Sequence, residues 1–277
     1  ITVNSVIYAL LGIWAIVVLF PFYWMILTSV KSYSSYNSEY YPKFYTLSPT
    51  LQNYIDAFTT APLGDYFINT IVFTVITTAI MLVVTVLAAF AFSRIKFPGR
   101  EFVFTLFLGT MMIPGEMLSI TNYITVSKMH LLESKAGALT AMIIPFWVSV
   151  FYIFQLRQNF RQIPNELYYA AKVDGKSDWQ YLWKVMVPLA SPALITILIL
   201  KVMGSWNSYI WPNLVANQED WRLMTNGLRS YSPQFSGEPH QGIQMAATVV
   251  VTVPLLLLFI FFRKYIMRGV GRAGLKG

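Results

Sequence analysis

Long apolar runs set the pattern of this chain. Val6–Leu27, Tyr66–Ser93, Ala136–Leu156 and Gln241–Phe262 contain no charged residue, Phe102–Ser127 contains only Glu116, and Val185–Pro212 contains only Lys201. A helix crosses the hydrocarbon layer of a bilayer with about 20 predominantly apolar residues. The pattern therefore predicts an all-α membrane protein with six transmembrane helices in a single membrane domain over residues 1–277. The longest connections, roughly Lys31–Asp65, Arg157–Lys184 and Asn213–His240, leave no room for a sizeable soluble domain. Neither an internal repeat nor a low-complexity tract is visible. The numbered chain begins at Ile1 without Met, so a preceding piece is expected.

Charge fixes the expected orientation. Only 12% of the residues are charged, against roughly 25% in an ordinary soluble domain. Of the 20 Lys and Arg, 13 fall in one set of loops and tails, 6 in the other, and Lys201 lies within the fifth run. The richer set comprises Arg94–Arg100, Arg157–Lys184 and the C-terminal segment from Arg263. The positive-inside rule makes that set cytoplasmic and places both termini inside. Orientation thus accounts for the net charge of +8, and a nucleic-acid partner is not needed to explain it. The chain has no cysteine, which excludes disulfides, zinc–thiolate sites, iron–sulfur clusters and thiol nucleophiles.

Chemistry-bearing patterns are few. Gly175-Lys176-Ser177 spells the end of a P-loop, but Ala170 stands where the first glycine is required and the preceding NELYYAA reads as helix. Gly269-Val-Gly271-Arg-Ala-Gly274 spells a dinucleotide fingerprint, but it follows a membrane helix, so the strand that should precede it is missing. The two histidines, His130 and His240, lie in outside loops and offer no catalytic triad or zinc motif. Asp174 and Asp178 are interleaved with Lys172 and Lys176, the pattern of a solvated charged face.

The cytoplasmic loop 157–188 reads as two short helices. Residues 165–171 form the first, Gly175 stops it or turns the chain, and Ser177 or Asp178 caps a second that runs through Trp179, Tyr181, Leu182, Trp183 and Val185 to Pro188. Small residues at Ala170, Ala171 and Gly175, with aromatics beside them, make a compact knob suited to a cleft on a partner.

The spacing Ala170-Ala171, three residues, Gly175, nine residues, Val185, one residue, Val187-Pro188 resembles the E-A-A-x3-G-x9-I-x-L-P loop of binding-protein-dependent ABC importer permeases. Pro21-Phe22-Tyr23-Trp24-Met25, Thr28-Ser29-Val30-Lys31, Trp206-Asn207, Trp211-Pro212 and the tail from Tyr265 to Gly277 also match. Over essentially its whole length the chain resembles the six-span permease of maltose-type carbohydrate importers. Met112–Met117 and Ile120–Tyr123 look most like the multiple-sugar or raffinose branch. The resemblance implies a non-catalytic subunit in a bacterial cytoplasmic membrane. Its partners would be a second, different permease, two ATPase subunits carrying ATP and Mg, an external carbohydrate-binding protein and membrane lipid. It implies no cofactor on this chain itself.

The same resemblance makes 157–188 the ATPase-coupling loop, with Glu166, Tyr169, Ala170, Ala171, Asp174, Gly175, Lys176 and Pro188 as its contact residues. Tyr169 stands where the motif has glutamate, so charged anchoring would fall to Glu166 or Asp174. The tail Arg268–Gly277 would reach the ATPase dimer, or would simply be a basic membrane anchor. Charges within spans usually face the bundle or water. Glu116, Asn122, Trp206, Asn207 and Tyr209 are accordingly candidates for a sugar path, although ordinary helix packing and interfacial aromatics explain the same residues. The loop Asn213–His240 would touch the binding protein. The rival class is a stand-alone secondary transporter driven by an ion gradient, which would favour broken helices and coupling carboxylates near the bilayer midplane.

Overall fold

A computed structural model describes residues 2–235 and 238–271. In chain order the helices are α1 (Thr2–Ser29), α2 (Tyr33–Asn37), α3 (Gln52–Thr60), α4 (Leu63–Ser93), α5 (Arg100–Thr110), α6 (Ser119–Lys128), α7 (Lys135–Ile143) and α8 (Val150–Gln162). They continue with α9 (Asn165–Val173), α10 (Asp178–Tyr181), α11 (Val187–Leu189), α12 (Ser191–Trp206), α13 (Ile210–Val215), α14 (Met224–Ser230) and α15 (Gln241–Gly271). Two-residue strands, β1 (Gln234–Phe235) and β2 (Glu238–Pro239), pair antiparallel. The protein is otherwise helical, as the apolar runs predict.

Among the described residues four stretches, 4–29, 63–93, 191–215 and 241–264, are long and apolar enough to cross a membrane, and two bent helix pairs raise the number to six if each pair is one crossing. The third run is thus not the continuous helix 102–127: α5 and the helical stretch from Gly115 meet at 82°. Met111–Pro114 forms the break, where Pro114 is extended in ψ and has no N–H to continue a helix. The fourth run bends by 47° at Trp147–Ser149, just after Pro145, and α8 then extends to Gln162, beyond the expected end at Leu156. The fifth helix starts at Ser191 rather than Val185 and is interrupted at Asn207–Tyr209. By contrast, Pro21 and Pro254 sit inside the unbroken α1 and α15.

The chain packs as two compact units, residues up to 67 with 224–256, and 68–223 with 257 onward. In the first unit, Leu63, Tyr66, Met224, Ile243, Ala247 and Val251 form the core. The end of α1 is closed by side chains from the segment that follows it. Asn53 donates 2.8 Å hydrogen bonds to the carbonyl of Ser29, the last residue of α1 and so without a partner within that helix, and to that of Lys31 just beyond it. Lys31 is wholly buried, and its ammonium meets both Glu39 carboxylate oxygens at 2.8 and 3.0 Å and the Lys43 carbonyl at 2.8 Å. The Lys31 contact, and a hydrogen bond from the Lys43 amide, hold the Glu39 carboxyl below the usual carboxylate range.

In the second unit α4 is the central element. Its buried face carries Thr70, Thr74, Thr77, Thr78, Met81, Thr85 and Ala89, a helical stripe of mostly small residues that lets neighbouring helices approach closely. Toward one end Phe73 packs with Val126, Met142, Trp211, Val215 and Leu223. Toward the other, Met81, Val86 and Phe90 pack with Leu156, Phe160, Tyr181, Leu182 and Met186.

Gly227 of α14 lies against the ring of Tyr66, where an added Cβ would overlap the ring, whereas Gly64 faces open space. Overpacking of a tight core contact costs about 1–3 kcal/mol. Gly227→Ala should therefore lower the thermal unfolding temperature of the purified protein in detergent, while Gly64→Ala should leave it unchanged or raise it.

Candidate functional site

The segment Asn165–Leu189 folds as a helical hairpin whose turn is written in its sequence. At the end of α9 the amide of Lys176 bonds to the Ala171 carbonyl and that of Gly175 to the Lys172 carbonyl, with Gly175 at φ 72°. This is the paired 6→1 and 5→2 closure that favours glycine, since L side chains are disfavoured at that φ. Ser177 then caps α10 reciprocally: its Oγ accepts from the Gln180 amide, and its own amide donates to the Gln180 side chain. Gly175-Lys176-Ser177 is thus a helix-to-helix turn and not a phosphate loop.

Three polar side chains tie the arms of the hairpin together. The Tyr168 hydroxyl donates to Asp178 Oδ1 at 2.8 Å, and Lys172 Nζ meets the same oxygen at 2.8 Å. The hydrogen bonds from Lys172 and then Tyr168 hold the Asp178 carboxyl below its ordinary range, and the same contact raises Lys172. Burial, with Asp178 second, pushes up the Tyr168 phenol. Beyond α10 the chain makes one wide turn, Leu182–Met186, closed by the Val187 amide on the Leu182 carbonyl. The widening immediately precedes Pro188, which has no N–H and whose ring would press on the Lys184 carbonyl of a regular helix.

The hairpin has two faces. Ala171, Tyr181, Leu182 and Met186 are buried in the core of the second unit. Tyr169, Val173, Trp179 and Trp183 are exposed, with the two indoles edge to face at 5.6 Å. Two arginines hold the base. Arg94, at the end of α4 and 9% exposed, donates to the carbonyls of Phe160 (2.8 Å) and Ile163 and to the Asn165 side chain. Arg157 of α8, 3% exposed, grips the Glu101 carboxylate at 2.7 and 2.8 Å, donates to the Phe92 carbonyl at 3.0 Å, and lies 3.9 Å from the Phe104 ring centre. Sequence reasoning counted both only as topological charges. The signal available was their position, each the first residue after a charge-free run and so at the start of its own loop.

The predicted coupling residues fall on one hairpin but not on one face. Glu166, Tyr169, Ala170, Asp174, Gly175 and Pro188 are exposed and Lys176 is half-buried. Ala171 is buried against the core of the second unit while its neighbour Ala170 is exposed, adjacent helical positions lying about 100° apart. Of the aromatics read as filling a cleft or packing the loop, Tyr181 packs inward and Trp179 stays outside.

The predicted path residues are dispersed. Glu116 is exposed in the turn Gly115–Leu118, and Asn122 is half-buried in α6. Trp206 is buried, Asn207 is exposed with its amide donating to the Met203 carbonyl, and Tyr209 is half-buried in the break before α13. Lys201 lies 5.0 Å from the Phe146 ring centre. Ser236 and Gly237 of the loop 213–240 and residues 272–277 of the tail lie outside the described residues, as do the side chains of 265–271. No group of three or more His, Cys, Asp or Glu suited to a metal occurs among the described residues.

Comparison with known proteins matches residues 57–272 to the family model described as binding-protein-dependent transport system inner membrane component. The arabinooligosaccharides transport system permease protein AraQ of Halalkalibacterium halodurans is 32% identical over 82% of this chain and 80% of its own. The diacetylchitobiose uptake system permease protein NgcG of Streptomyces coelicolor is 27% identical over 96% and 86%, and the lactose transport system permease protein LacG of Rhizobium radiobacter is 29% identical over 95% and 93%. Among solved structures, a chain of a bacterial ABC transporter involved in import of the acidic polysaccharide alginate shares the fold. Its TM-score is 0.84 at 24% identity, over 95% of this chain and 96% of that one.

Because the Asp178 carboxyl is held low, its contribution to the hairpin is complete above the ordinary carboxylate range and is lost as pH falls through the depressed value. Hydrogen exchange of amides 176–181 should therefore be several-fold faster in Asp178→Asn than in the unmodified protein at pH 5.5, and the difference should narrow as the pH is lowered below the ordinary aspartate range.

Proposed function

The chain belongs to the family of binding-protein-dependent transport system inner membrane components, and from that membership we propose that it is the non-catalytic, membrane-spanning subunit of an ATP-driven carbohydrate importer. In this reading it forms one membrane domain that crosses a bacterial cytoplasmic membrane six times with both termini inside. It pairs with a second, different permease, two ATPase subunits that hold ATP and Mg, and an external sugar-binding protein. A relative is named for arabino-oligosaccharides, another for lactose, and a solved structural neighbour of the same fold is described in complex with a pentasaccharide-bound periplasmic protein. Those names support the carbohydrate class.

The observation that carries the coupling role is the exposed aromatic face of the hairpin, Tyr169, Val173, Trp179 and Trp183, presented on a rigid base. A ligand shifts a conformational equilibrium only through contacts that differ between the two states. ATP bound to a partner can therefore act here only if the hairpin is gripped and moves as a body. Arg94 and Arg157 supply the transmission, tying the ends of α4, α8 and α9 and the start of α5 to one another. Glu166 and Asp174, both exposed on the hairpin, are the acids that would take over the charged anchoring absent at Tyr169. The fifth apolar run is interrupted at Asn207–Tyr209, beside Trp206, and a helix break at membrane depth is tolerated where it lines a cavity or is buried in protein. That is where sugar hydroxyls and ring faces would be met.

The helix breaks at 111–114, 147–149 and 207–209 are the feature a gradient-driven carrier would share. The carboxylate such a carrier needs is not supplied by Glu116, which is exposed in a turn. In vesicles containing this chain with its partner permease and ATPases, uptake of a radiolabelled oligosaccharide should require both internal ATP and external binding protein. Vesicles with this chain alone should take up none. Uptake by the chain alone on an imposed ion gradient would overturn the proposal.

A further inference from the structure

A cavity of about 520 Å³ opens where the ends of α4, α8 and α9 and the start of α5 converge. Its size falls within the roughly 300–1,000 Å³ of small-ligand pockets. Four cations line it: Arg94, Lys96, Arg100 and Arg161. Arg100 shares Glu101 with Arg157. The buried Arg94 guanidinium is bonded to carbonyl and amide oxygens, which take three of its protons but do not neutralise its charge. Its Nε–H, also buried, has no acceptor. Lys96 and Arg161 form no ion pair among the described residues. The cavity's one carboxylate, Asp178, is already engaged by Lys172 and Tyr168. The N-terminus of the nine-residue α9 lies at the same cavity through Asn165 and has no side-chain cap, so its first amides add positive partial charge.

A wall with this excess of fixed positive charge selects an anion with several acceptor oxygens, for which arginine forks and a helix N-terminus are both suited. The surrounding helix ends place it where the headgroups of the cytoplasmic leaflet lie, a statement that rests on the orientation proposed above. We propose that the cavity is a phosphate-binding site, filled by the headgroup of an anionic phospholipid, and that its occupant steadies the hairpin. Basic pockets between membrane helices on the cytoplasmic side bind lipid headgroups on the same principle. The route to the hairpin is short, since Tyr168 and Asp178, which join its two arms, form part of the cavity wall.

The test uses the whole importer, purified from cells, exchanged into phosphatidylcholine nanodiscs and compared with the double variant Lys96→Gln/Arg161→Gln. Phosphatidylglycerol retained per complex is measured by lipid extraction and mass spectrometry. Retention should fall several-fold in the variant, and hydrogen exchange of amides 176–181 should rise in the variant and in lipid-stripped complex alike. Inorganic phosphate, titrated into lipid-stripped complex, distinguishes a soluble source: if it restores protection and phosphatidylglycerol does not, the site takes a soluble phosphate in place of a lipid. Equal retention in both complexes, with no response to phosphate, overturns the proposal. So does loss of ATPase subunits from the variant at unchanged lipid content, because the cations would then serve the protein partner. If no ATPase co-purifies even with the unmodified chain, it is the importer reading that fails, whatever the lipid result.

Discussion

Neither hydrocarbon nor a packed interior offers a peptide group a hydrogen-bond partner, so a helix end or break that is buried in either must be closed by the protein itself. This chain does so with a small set of long polar side chains that reach to backbone carbonyls. Asn53 closes the end of α1. Trp211 donates its indole N–H to the Ala141 carbonyl at 3.0 Å, beside the bend between α7 and α8. Asn69 takes the carbonyls of Asp220 and Arg222 at 2.8 and 3.1 Å, Arg157 takes that of Phe92, and Arg94 takes those of Phe160 and Ile163. A buried carbonyl left unpaired costs about 1–3 kcal/mol, so each of these side chains fixes the geometry of an interruption that would otherwise be unfavourable. The breaks can then be features of the fold, and the segments that follow them can be held rigidly.

Rigidity matters most at the hairpin of residues 165–189. Its turn is closed by the Gly175 backbone and the Ser177–Gln180 cap, its arms by the Tyr168–Asp178–Lys172 contact, and its base by Arg94. Little freedom is left between the exposed indoles of Trp179 and Trp183 and the helices beneath them. A partner that moves the indoles must also move the ends of α4 and α8. This is the mechanical property a coupling element requires, and it follows from hydrogen bonding and packing within this chain alone.

Much of this was legible in the sequence because its cause is local. Charge-free runs about 20 residues long mark hydrophobic helices wherever they occur, and Gly175 followed by Ser177 announces a stop and a cap whatever surrounds them. The spacing from Ala170 to Pro188 likewise identified the loop. The breaks were not legible in the same way. Pro21 and Pro254 lie in continuous helices while Pro114 and Pro145 lie at bends, a difference that the presence of proline alone does not announce. The roles of Arg94 and Arg157 also depend on partners 56 to 71 residues away, which composition cannot show. The inward turn of Ala171 depends on helical phase against a core that forms only on folding.

The central claim is that the exposed face of this hairpin is seated in an ATPase and moves with its nucleotide state. The chain has no cysteine, so single cysteines at Lys176 and Trp179 can be introduced without background. The direct measurement is their disulfide crosslinking to cysteines placed along the cleft of co-expressed ATPase subunits, with and without ATP. The account predicts crosslinks from both positions whose pattern changes when ATP is added. Transport of carbohydrate by a complex in which neither position ever meets an ATPase would contradict it.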